Sequence, residues 1–487
     1  MSTPTLLEPP RPARSSCRPL EPRRCTPPRR SAGPPATEWW WSPRTLAAIP
    51  RSARGFAASV VRAEQYGGDV NWDQLVQGVE LPFHPDLKVP ALTEVTLPVP
   101  RPDAVADVQQ SAHDDIVARF AAHVTPGMTV AVGAGSRGIT RRVELLRGTI
   151  SGLRELGAEP FVVPAMGSHG GATAEGQRAM LETLGMTEEA IGAEIRATMD
   201  TVEVARTPSG MPLYLDRHAA GADRILPVNR IKPHTCFKGP VESGVTKMAV
   251  VGFGKQPGAA QIHACGPVEM RNRILDGIAA LKATGRVLGG VASIESAAGD
   301  VAVVRALTGD EVGAQAEIDL NDVARKLVPA LPFPQIDVLI VEKGGKDISG
   351  TTMDPNVTGR FSVHGLADLS EPDVSTIVLL GITPISGGNV LGIGFADFIP
   401  VSVAQQIDWK KTYINCFTAG IAGVRRSRMP MVLPTEDDCV KAALSMCGRA
   451  FDQPKRVVRI ESTLHLTRCW VSDPLLAELP PGAEIVE

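Results

Sequence analysis

Residues 230–265 read RIKPHTCFKGPVESGVTKMAVVGFGKQPGAAQIHAC, and the rest of the chain is best understood as a scaffold for this stretch. It places His234, Lys247 and His263 within thirty residues. Imidazole is the usual acid or base near neutral pH and a common transition-metal ligand. A lysine amine becomes nucleophilic when desolvation lowers its pKa. The stretch is rich in glycine and bounded by apparent strands, so we expect the three side chains to converge on one site.

Local patterns predict a strand, a loop and a helix within this stretch. Residues 223–229 form the strand, which ends where a proline biases its predecessor toward extended geometry. Lys247 precedes the apolar run 248–253, so we expect a near-buried stem and an amine at the edge of the core. His263 falls in a predicted helix over 258–280, whose first turn would aim the imidazole back over the loop.

Upstream, a strand, a glycine turn and a helix follow one another. Residues 128–133 predict a short buried strand, the turn spans 134–138, and 140–156 has a helical pattern. This arrangement presents backbone N–H groups to an anion. We therefore expect a phosphate or a carboxylate to be held there, with help from Ser136 and Arg137.

The same turn matches the spacing of the dinucleotide-binding fingerprint through Gly133, Gly135 and Gly138. Such a unit requires an acidic residue at the end of the next strand, about twenty residues on. The predicted strand 159–164 ends without one. An NAD site therefore remains an alternative with less support than an anion site.

The next strand leads into the sequence Gly167-Ser-His-Gly-Gly171, and residues 172–184 predict a helix. His169 thus stands between the carboxyl end of a strand and the start of a helix, where ligand sites of α/β proteins gather. The positive end of a helix lowers the pKa of a histidine. We expect His169 to be able to act as a base.

The second half of the chain continues the α/β pattern. Residues 285–308 alternate as strands do, and 315–328 look helical. A buried strand over 337–341 feeds the polar, glycine-rich loop 342–360, which we expect to form a wall of the active site. Residues 434–446 predict a helix that begins with a capping box.

Three segments together resemble a known family: IKPHTCFKGPVESGVTKMAVVGFGKQPGA from Ile231, the Gly167–Gly171 motif, and Gly345-Lys-Asp-Ile-Ser-Gly-Thr-Thr-Met-Asp354. They resemble the lactate racemases that use a nickel-pincer nucleotide, from about Tyr66 to the C-terminus. The resemblance implies an isomerase, a racemase or epimerase of a 2-hydroxy acid. It also implies metal binding, with nickel as the metal.

The resemblance assigns roles to individual residues. Lys247 would attach pyridinium-3-thioamide-5-thiocarboxylic acid mononucleotide through a thioamide link, and His263 would be the nickel ligand. His169 and His234 would alternate as general base and general acid. Separate maturation proteins would have to supply the cofactor.

Two departures from the family pattern suggest a divergent member. The loop after His234 reads Thr-Cys-Phe-Lys-Gly-Pro-Val-Glu-Ser-Gly, where the family has an aromatic residue and Gly-Phe-Ser-Gly-Gly. The family's Asp-x-Thr-Arg motif becomes Ala134-Gly-Ser-Arg137, which keeps Ser136 and Arg137 but lacks the aspartate. We therefore expect a 2-hydroxy acid other than lactate.

Composition excludes several classes of protein. The 487 residues carry a net charge of −3, which argues against a nucleic-acid or polybasic membrane partner. No apolar run approaches the ~20 residues that a membrane helix needs. The eight cysteines form no Cys-x-x-Cys pair and are typical of reduced intracellular thiols. We expect a cytoplasmic protein.

The predicted fold is α/β, with two α/β domains, mixed or parallel sheets and an active-site cleft between the domains. Residues 1–60 are predicted to be a disordered extension, since Met1–Arg54 holds ten Arg and twelve Pro. Residues 61–310 would form the catalytic domain and 311–487 a C-terminal domain. A predicted strand at 456–461 would return to the first domain.

The predicted reaction is inversion at the carbon that bears the hydroxyl group of a 2-hydroxy acid. One histidine removes the hydroxyl proton while hydride leaves that carbon for the pyridinium ring, and the planar 2-keto acid is reduced again from the other face. An NAD-dependent 2-hydroxy acid dehydrogenase, an epimerase of a sugar acid, and a non-enzymatic protein that binds an anionic metabolite remain alternatives.

Overall fold

Two β-sheets and one hairpin organise the described part of the chain in a computed structural model, which covers residues 74, 76, 80–136 and 138–486. The strands are β1 Leu92–Thr96, β2 Thr129–Ala134, β3 Glu159–Pro164, β4 Thr201–Arg206, β5 Pro212–Asp216, β6 Arg224–Arg230, β7 Gly289–Glu295, β8 Val301–Thr308, β9 Gln335–Val341, β10 Asp373–Leu379, β11 Phe398–Pro400, β12 Met431–Leu433, β13 Val457–Ile460, β14 Arg468–Ser472 and β15 Glu484–Ile485. The predicted α/β fold is confirmed.

The α-helices connect these strands and cover the sheets. They are α1 Val108–Phe120, α2 Arg142–Glu155, α3 Ala174–Thr183, α4 Glu188–Ile191, α5 Arg217–Gly221, α6 Val245–Lys247, α7 Lys255–His263, α8 Pro267–Ala283, α9 Gln315–Leu327, α10 Pro355–Thr358, α11 Val401–Ala404, α12 Trp409–Thr418, α13 Ile421–Arg426, α14 Glu436–Met446 and α15 Asp473–Leu476. A π-helix spans Met248–Gly252, and short 3-10 turns lie at Gly170–Ala172, Pro384–Ser386 and Ile393–Phe395. None of the helices in the described residues is long and apolar enough to cross a membrane.

The five-stranded sheet has the order β3-β2-β6-β7-β8, parallel except for β8. Alternate residues of its strands enter two separate cores. On one face, Val130 and Val132 pack with helices α1 and α2. On the other, Ala131 packs with the segment that carries Lys247 and with α8. Because both faces are covered, the central strands read as continuous apolar runs.

The eight-stranded sheet has the order β12-β11-β10-β9-β13-β14-β1-β15. The predicted strand at 456–461 does not pair with the five-stranded sheet, because β13 is hydrogen-bonded to β9 and β14. Instead β1, from the N-terminal side, pairs with β14 and joins this sheet. On its other side, β1 pairs with the two-residue strand β15. The predicted boundary at residue 310 stays a prediction, and residues 1–60 lie outside the described residues.

The apolar run after Lys247 is helical. The chain turns through α6 and continues as the π-helix Met248–Gly252. All five residues of the π-helix are buried. A segment buried on every side has no polar face, so its sequence shows no period that could distinguish helix from strand.

This lysine segment, residues 245–253, lies against the five-stranded sheet because two glycines make room for it. A Cβ on Gly133 would lie 2.5 Å from the Phe253 ring, and one on Gly135 would lie 2.8 Å from the Met248 methyl carbon. Both distances are shorter than side chains tolerate. The two glycines are therefore a packing requirement of the lysine segment.

The predicted helix over 258–280 is two helices. Helix α7 ends at His263, and α8 begins at Pro267 after Gly266 in extended geometry. Proline is favoured at the first position of a helix, where no N–H is needed. His263 therefore lies in a last turn, not in a first turn as predicted.

A buried polar cluster joins α3, α5 and α7. Lys255 and Asp216 have fully buried side chains and form an ion pair at 3.0 Å between Nζ and Oδ2. The same amine donates to Gln177 Oε1 at 2.8 Å and to the carbonyl of Pro164. Burial lowers the pKa of Lys255, and Asp216 opposes this shift. Asp216 in turn accepts from the N–H groups of the first turn of α5.

Replacement of this buried lysine tests how much the cluster contributes to stability. Lys255→Met leaves Asp216 as an uncompensated buried charge, so we expect a loss of about 3–5 kcal/mol in the free energy of unfolding. Denaturation by urea measures this change in the free energy of unfolding. Lys441→Met is the control, because Lys441 pairs with Asp437 on the surface and should change the midpoint little. Equal effects of the two substitutions would contradict this account.

A double-mutant cycle tests the close approach at Gly133. Gly133→Ala should lower the free energy of unfolding by about 1–3 kcal/mol, because its Cβ overlaps the Phe253 ring. Combined with Phe253→Leu, the same substitution should be better tolerated. Additive effects in the cycle would show that the two positions do not compete for space.

Candidate active site

Lys247 closes the short helix α6 and immediately precedes the π-helix. Its Nζ forms a hydrogen bond with Nε2 of His234. Single π-helical turns are rare and are often found at functional sites. The structure thus brings together two of the residues that the sequence singled out.

His234 follows β6 and has its ring oriented by its own loop. The backbone N–H of Cys236 donates to Nδ1 at 2.9 Å. With Nδ1 as an acceptor, the neutral ring carries its proton on Nε2, the atom that faces Lys247. The Lys247 amine and the His234 ring thus share one hydrogen bond at this atom.

His263 ends α7 with one ring nitrogen engaged. Its Nδ1 donates to the carbonyl of Ala259 at 2.7 Å, so Nε2 of the neutral ring has a free lone pair for a ligand. Burial lowers the pKa of His263, and a protonated Lys247 would act in the same direction. A neutral imidazole with a defined tautomer is the form that binds a metal ion.

His169 and Ser136 lie at the carboxyl ends of the neighbouring parallel strands β3 and β2. His169 Nδ1 and Ser136 Oγ form a hydrogen bond. Because a hydroxyl group can donate or accept, His169 can adopt either neutral tautomer. The two motifs are therefore neighbours, as expected for adjacent parallel strands.

Backbone contacts fix the His169 loop against the lysine segment. The N–H of Gly167 donates to the carbonyl of Gly252 at 3.1 Å. Gln177, which is fully buried, donates from Nε2 to the carbonyls of Gly167 and His169 at 2.8 and 3.2 Å. Lys255 donates to Oε1 of the same Gln177 side chain, so the buried polar cluster around Lys255 also orients the His169 loop.

Arg137 lies outside the described residues, so its predicted role stays a prediction. Arg142, at the start of α2, was not singled out from the sequence. Its Nη1 is buried and makes no hydrogen bond with any residue that the structure describes. Burial lowers the pKa of Arg142; the charge of Glu295 opposes this shift, and the charge of Arg230, which is paired with Glu295, adds to it.

The C-terminal half covers the His234 loop. Lys238 Nζ donates to Asn356 Oδ1 at 2.6 Å, and the buried Arg426 donates to the carbonyl of Thr235. Burial lowers the pKa of Arg426. Asn356 belongs to the segment 342–360, part of which therefore lies against the loop of His234.

In the described residues, no group of three or more His, Cys, Asp or Glu side chains is arranged to hold a metal ion. Cys236 and Cys265 are free thiols, and burial raises the pKa of Cys236. His263 is thus the ligand candidate that the geometry supports by its orientation. The cysteines stay secondary, as the sequence suggested.

The sequence analysis did not single out the buried polar residues that fix the loops of the site. Glu317, Asn321 and Arg325 lie on α9 at spacings of four residues and contact the loops of Lys247 and His234. Their helical spacing, which places three polar residues on one face of α9, is the sequence pattern that could have indicated them. Gln177 and Lys255 gave no comparable signal, because they meet only in the folded chain.

Comparison with known proteins bears on the N-terminal part of the chain. Residues 91–266 match the family described as the lactate racemase N-terminal domain. All six site residues predicted from the sequence fall inside this match. No curated protein matches the chain.

Two solved structures show weak overall likeness. The lactate racemase apoprotein of Thermoanaerobacterium thermosaccharolyticum has 13% identity and a TM-score of 0.37, over 60% of this chain and 74% of that chain. A protein from Thermotoga maritima has 10% identity and a TM-score of 0.38, over 56% of this chain and 70% of that chain. Likeness at this level carries no argument about function. Residues 91–266 are therefore similar to the lactate racemase N-terminal domain family.

Proposed function

We propose that this protein is a racemase or epimerase of a 2-hydroxy acid that works with a nickel-pincer nucleotide attached to Lys247. The observation that carries the proposal is the contact of Lys247 with His234 beside a His263 of fixed tautomer. All three lie within the part of the chain that matches the lactate racemase N-terminal domain. We further propose a cytoplasmic enzyme that receives its cofactor from separate maturation proteins.

The side chains fit such a cofactor. An uncharged lysine amine is the nucleophilic form, so Lys247 is suited to a covalent link. Nε2 of His263 offers one lone pair to a metal ion. A nucleotide that brings its own carbon and sulfur ligands needs only one further donor from the protein, so His263 suffices. The buried, unsatisfied Nη1 of Arg142 is one donor suited to an anionic group.

The bound group would accept hydride from the substrate carbon and return it to either face. The chain must then hold and move the hydroxyl proton. His169 can present a lone pair at Nε2 when Ser136 accepts from Nδ1. His234 carries its proton on Nε2 in this conformation and can donate a hydrogen bond to the substrate oxygen.

With Ser136 as the acceptor, the two histidines would present opposite proton states at Nε2, as inversion from one enantiomer requires. The reverse direction requires the states to be exchanged. His234 must then release the N–H of Cys236, so we propose that the loop after β6 rearranges during turnover. Ser136 and Arg137 are proposed to bind the substrate carboxylate or the phosphate of the nucleotide.

An NAD-dependent dehydrogenase receives no support from the geometry. In such a site, the glycines of the first turn let the pyrophosphate approach the backbone. Here the space beside Gly133 and Gly135 is filled by Phe253 and Met248. The observed packing explains both glycines without a nucleotide.

Intact mass and nickel analysis test the attachment. Wild type that is co-expressed with the cofactor-synthesis proteins of a lactate racemase should gain a nucleotide-sized mass and about one nickel per chain. Lys247→Ala should gain neither, because it has no amine to attach, whereas Lys410→Ala on the exposed face of α12 should resemble wild type. An unmodified wild type from a host that loads a known lactate racemase would refute the assignment.

Variants of the two histidines test the reaction. His169→Ala and His234→Ala in loaded protein should each lower inversion of the preferred 2-hydroxy acid by about 10²–10⁴-fold, because each removes a proton-transfer group. Chiral chromatography with both enantiomers of a panel of 2-hydroxy acids measures it. His123→Ala, exposed at the end of α1, is the control. Near-full turnover in both variants would exclude the proposed roles.

A further inference from the structure

We propose that helix α9 positions the reactive pair of the site, with Glu317 as the residue that sets the direction of the Lys247 amine. That this amine attaches a cofactor rests on the proposed function. The positioning itself is a property of this chain and can be measured without a cofactor.

Glu317 is fully buried and accepts hydrogen bonds from the residues next to Lys247. Its Oε1 accepts the N–H of Thr246 at 3.0 Å, and its Oε2 accepts the hydroxyl of Thr246 at 2.6 Å and the N–H of Gly313 at 2.8 Å. Burial raises the pKa of Glu317, and these donors oppose the shift. Backbone and side chain of Thr246 are thus both held by one carboxyl group.

The carboxyl group of Glu317 can approach this turn because Gly244 has no side chain. A Cβ on Gly244 would lie 2.9 Å from Glu317 Oε1. The carbonyl of Gly244 also accepts from Nδ2 of Asn229 at 3.0 Å, at the end of β6. The turn before Lys247 is therefore held from the helix on one side and from the sheet on the other.

The same face of α9 holds the His234 loop. Asn321 Oδ1 accepts the N–H of Glu242 at 3.3 Å, and Arg325 Nη2 donates to Glu242 Oε1 at 2.9 Å. The second carboxyl oxygen of Glu242, whose side chain is 1% exposed, accepts the N–H of His234 at 2.6 Å. One rigid helix therefore fixes both partners of the contact between Lys247 and His234.

The spacing on the helix explains how one element can serve both loops. Residues 317, 321 and 325 are four apart and fall on one face of α9. The helix rises 1.5 Å per residue, so the three positions span about 12 Å along its axis. Misplacement of a reactive group by about 1 Å can cost about 10²-fold in rate, so the rigidity of this helix matters for the site.

Chemical labelling of the cofactor-free protein tests the proposal. Pyridoxal 5′-phosphate condenses with an amine to an imine and water, and borohydride reduces the imine to a stable secondary amine. Peptide mass spectrometry then gives the labelling rate of Lys247 beside that of the exposed Lys410. The ratio of the two rates reports local positioning, which general loss of stability does not change in protein that remains folded.

Thr246→Val removes the hydroxyl donor at nearly constant shape, and we expect it to lower the ratio at Lys247 by about tenfold. Thr246→Ser restores the hydroxyl group and should restore the ratio to within about twofold of wild type. Glu317→Gln should also lower the ratio, because an amide cannot accept from all of the donors. Asp319→Asn, on the exposed side of the same helix, should leave the ratio unchanged.

An unchanged ratio in folded Thr246→Val would overturn the proposal, as would a wild-type Lys247 that is not labelled. If Glu317→Gln does not fold, the pair of threonine variants still decides. The outcome is separate from that of the proposed function, because no nickel or nucleotide takes part. A protein that gains no adduct on co-expression but shows the expected labelling would refute the function and keep the positioning role.

Discussion

The close approach of the lysine segment to the five-stranded sheet is the constraint on which the site depends. Residues 245–253 occupy space that side chains at Gly133 and Gly135 would fill. The segment is buried on all sides, so its helical hydrogen bonds satisfy the backbone where no water is available. Lys247 immediately precedes this buried run and is itself only partly buried.

Two buried polar groups hold the histidine loops against this segment. Gln177, fixed by Lys255, binds the carbonyls of the His169 loop. Glu242, fixed by α9, binds the N–H of His234. Buried polar groups stabilise a unique arrangement only when all of their hydrogen bonds are made, and both clusters place their members on different elements of the fold. The site is therefore assembled by tertiary contacts around a local motif.

The arrangement also divides the chemical tasks. The hydroxyl group of Ser136 leaves both tautomers open to His169, whereas a backbone N–H selects one for His234. The carbonyl of Ala259 engages Nδ1 of His263 and leaves Nε2 of the neutral ring with its lone pair. The three rings thus have different types of hydrogen-bond partner, which is the basis for the different roles proposed for them.

The sequence alone singled out the residues on which the proposed chemistry rests. The local order of strand, glycine turn and helix predicted the β2 turn with Ser136, and apolar runs predicted the parallel strands. These signals are local, because a strand or cap depends on neighbouring residues. The short spacing of His234, Lys247 and His263 predicted their convergence for the same reason.

Tertiary structure decided the rest. The helical state of 248–253 follows from burial against the sheet, which leaves no periodic pattern in the sequence. The place of β1 in the eight-stranded sheet depends on pairing with β14, a strand near the opposite end of the described sequence. Glu317 is an ordinary helical glutamate in the sequence, and it meets Thr246 only across 71 residues of chain. Such contacts are set by the packing of distant elements, and no local pattern records them.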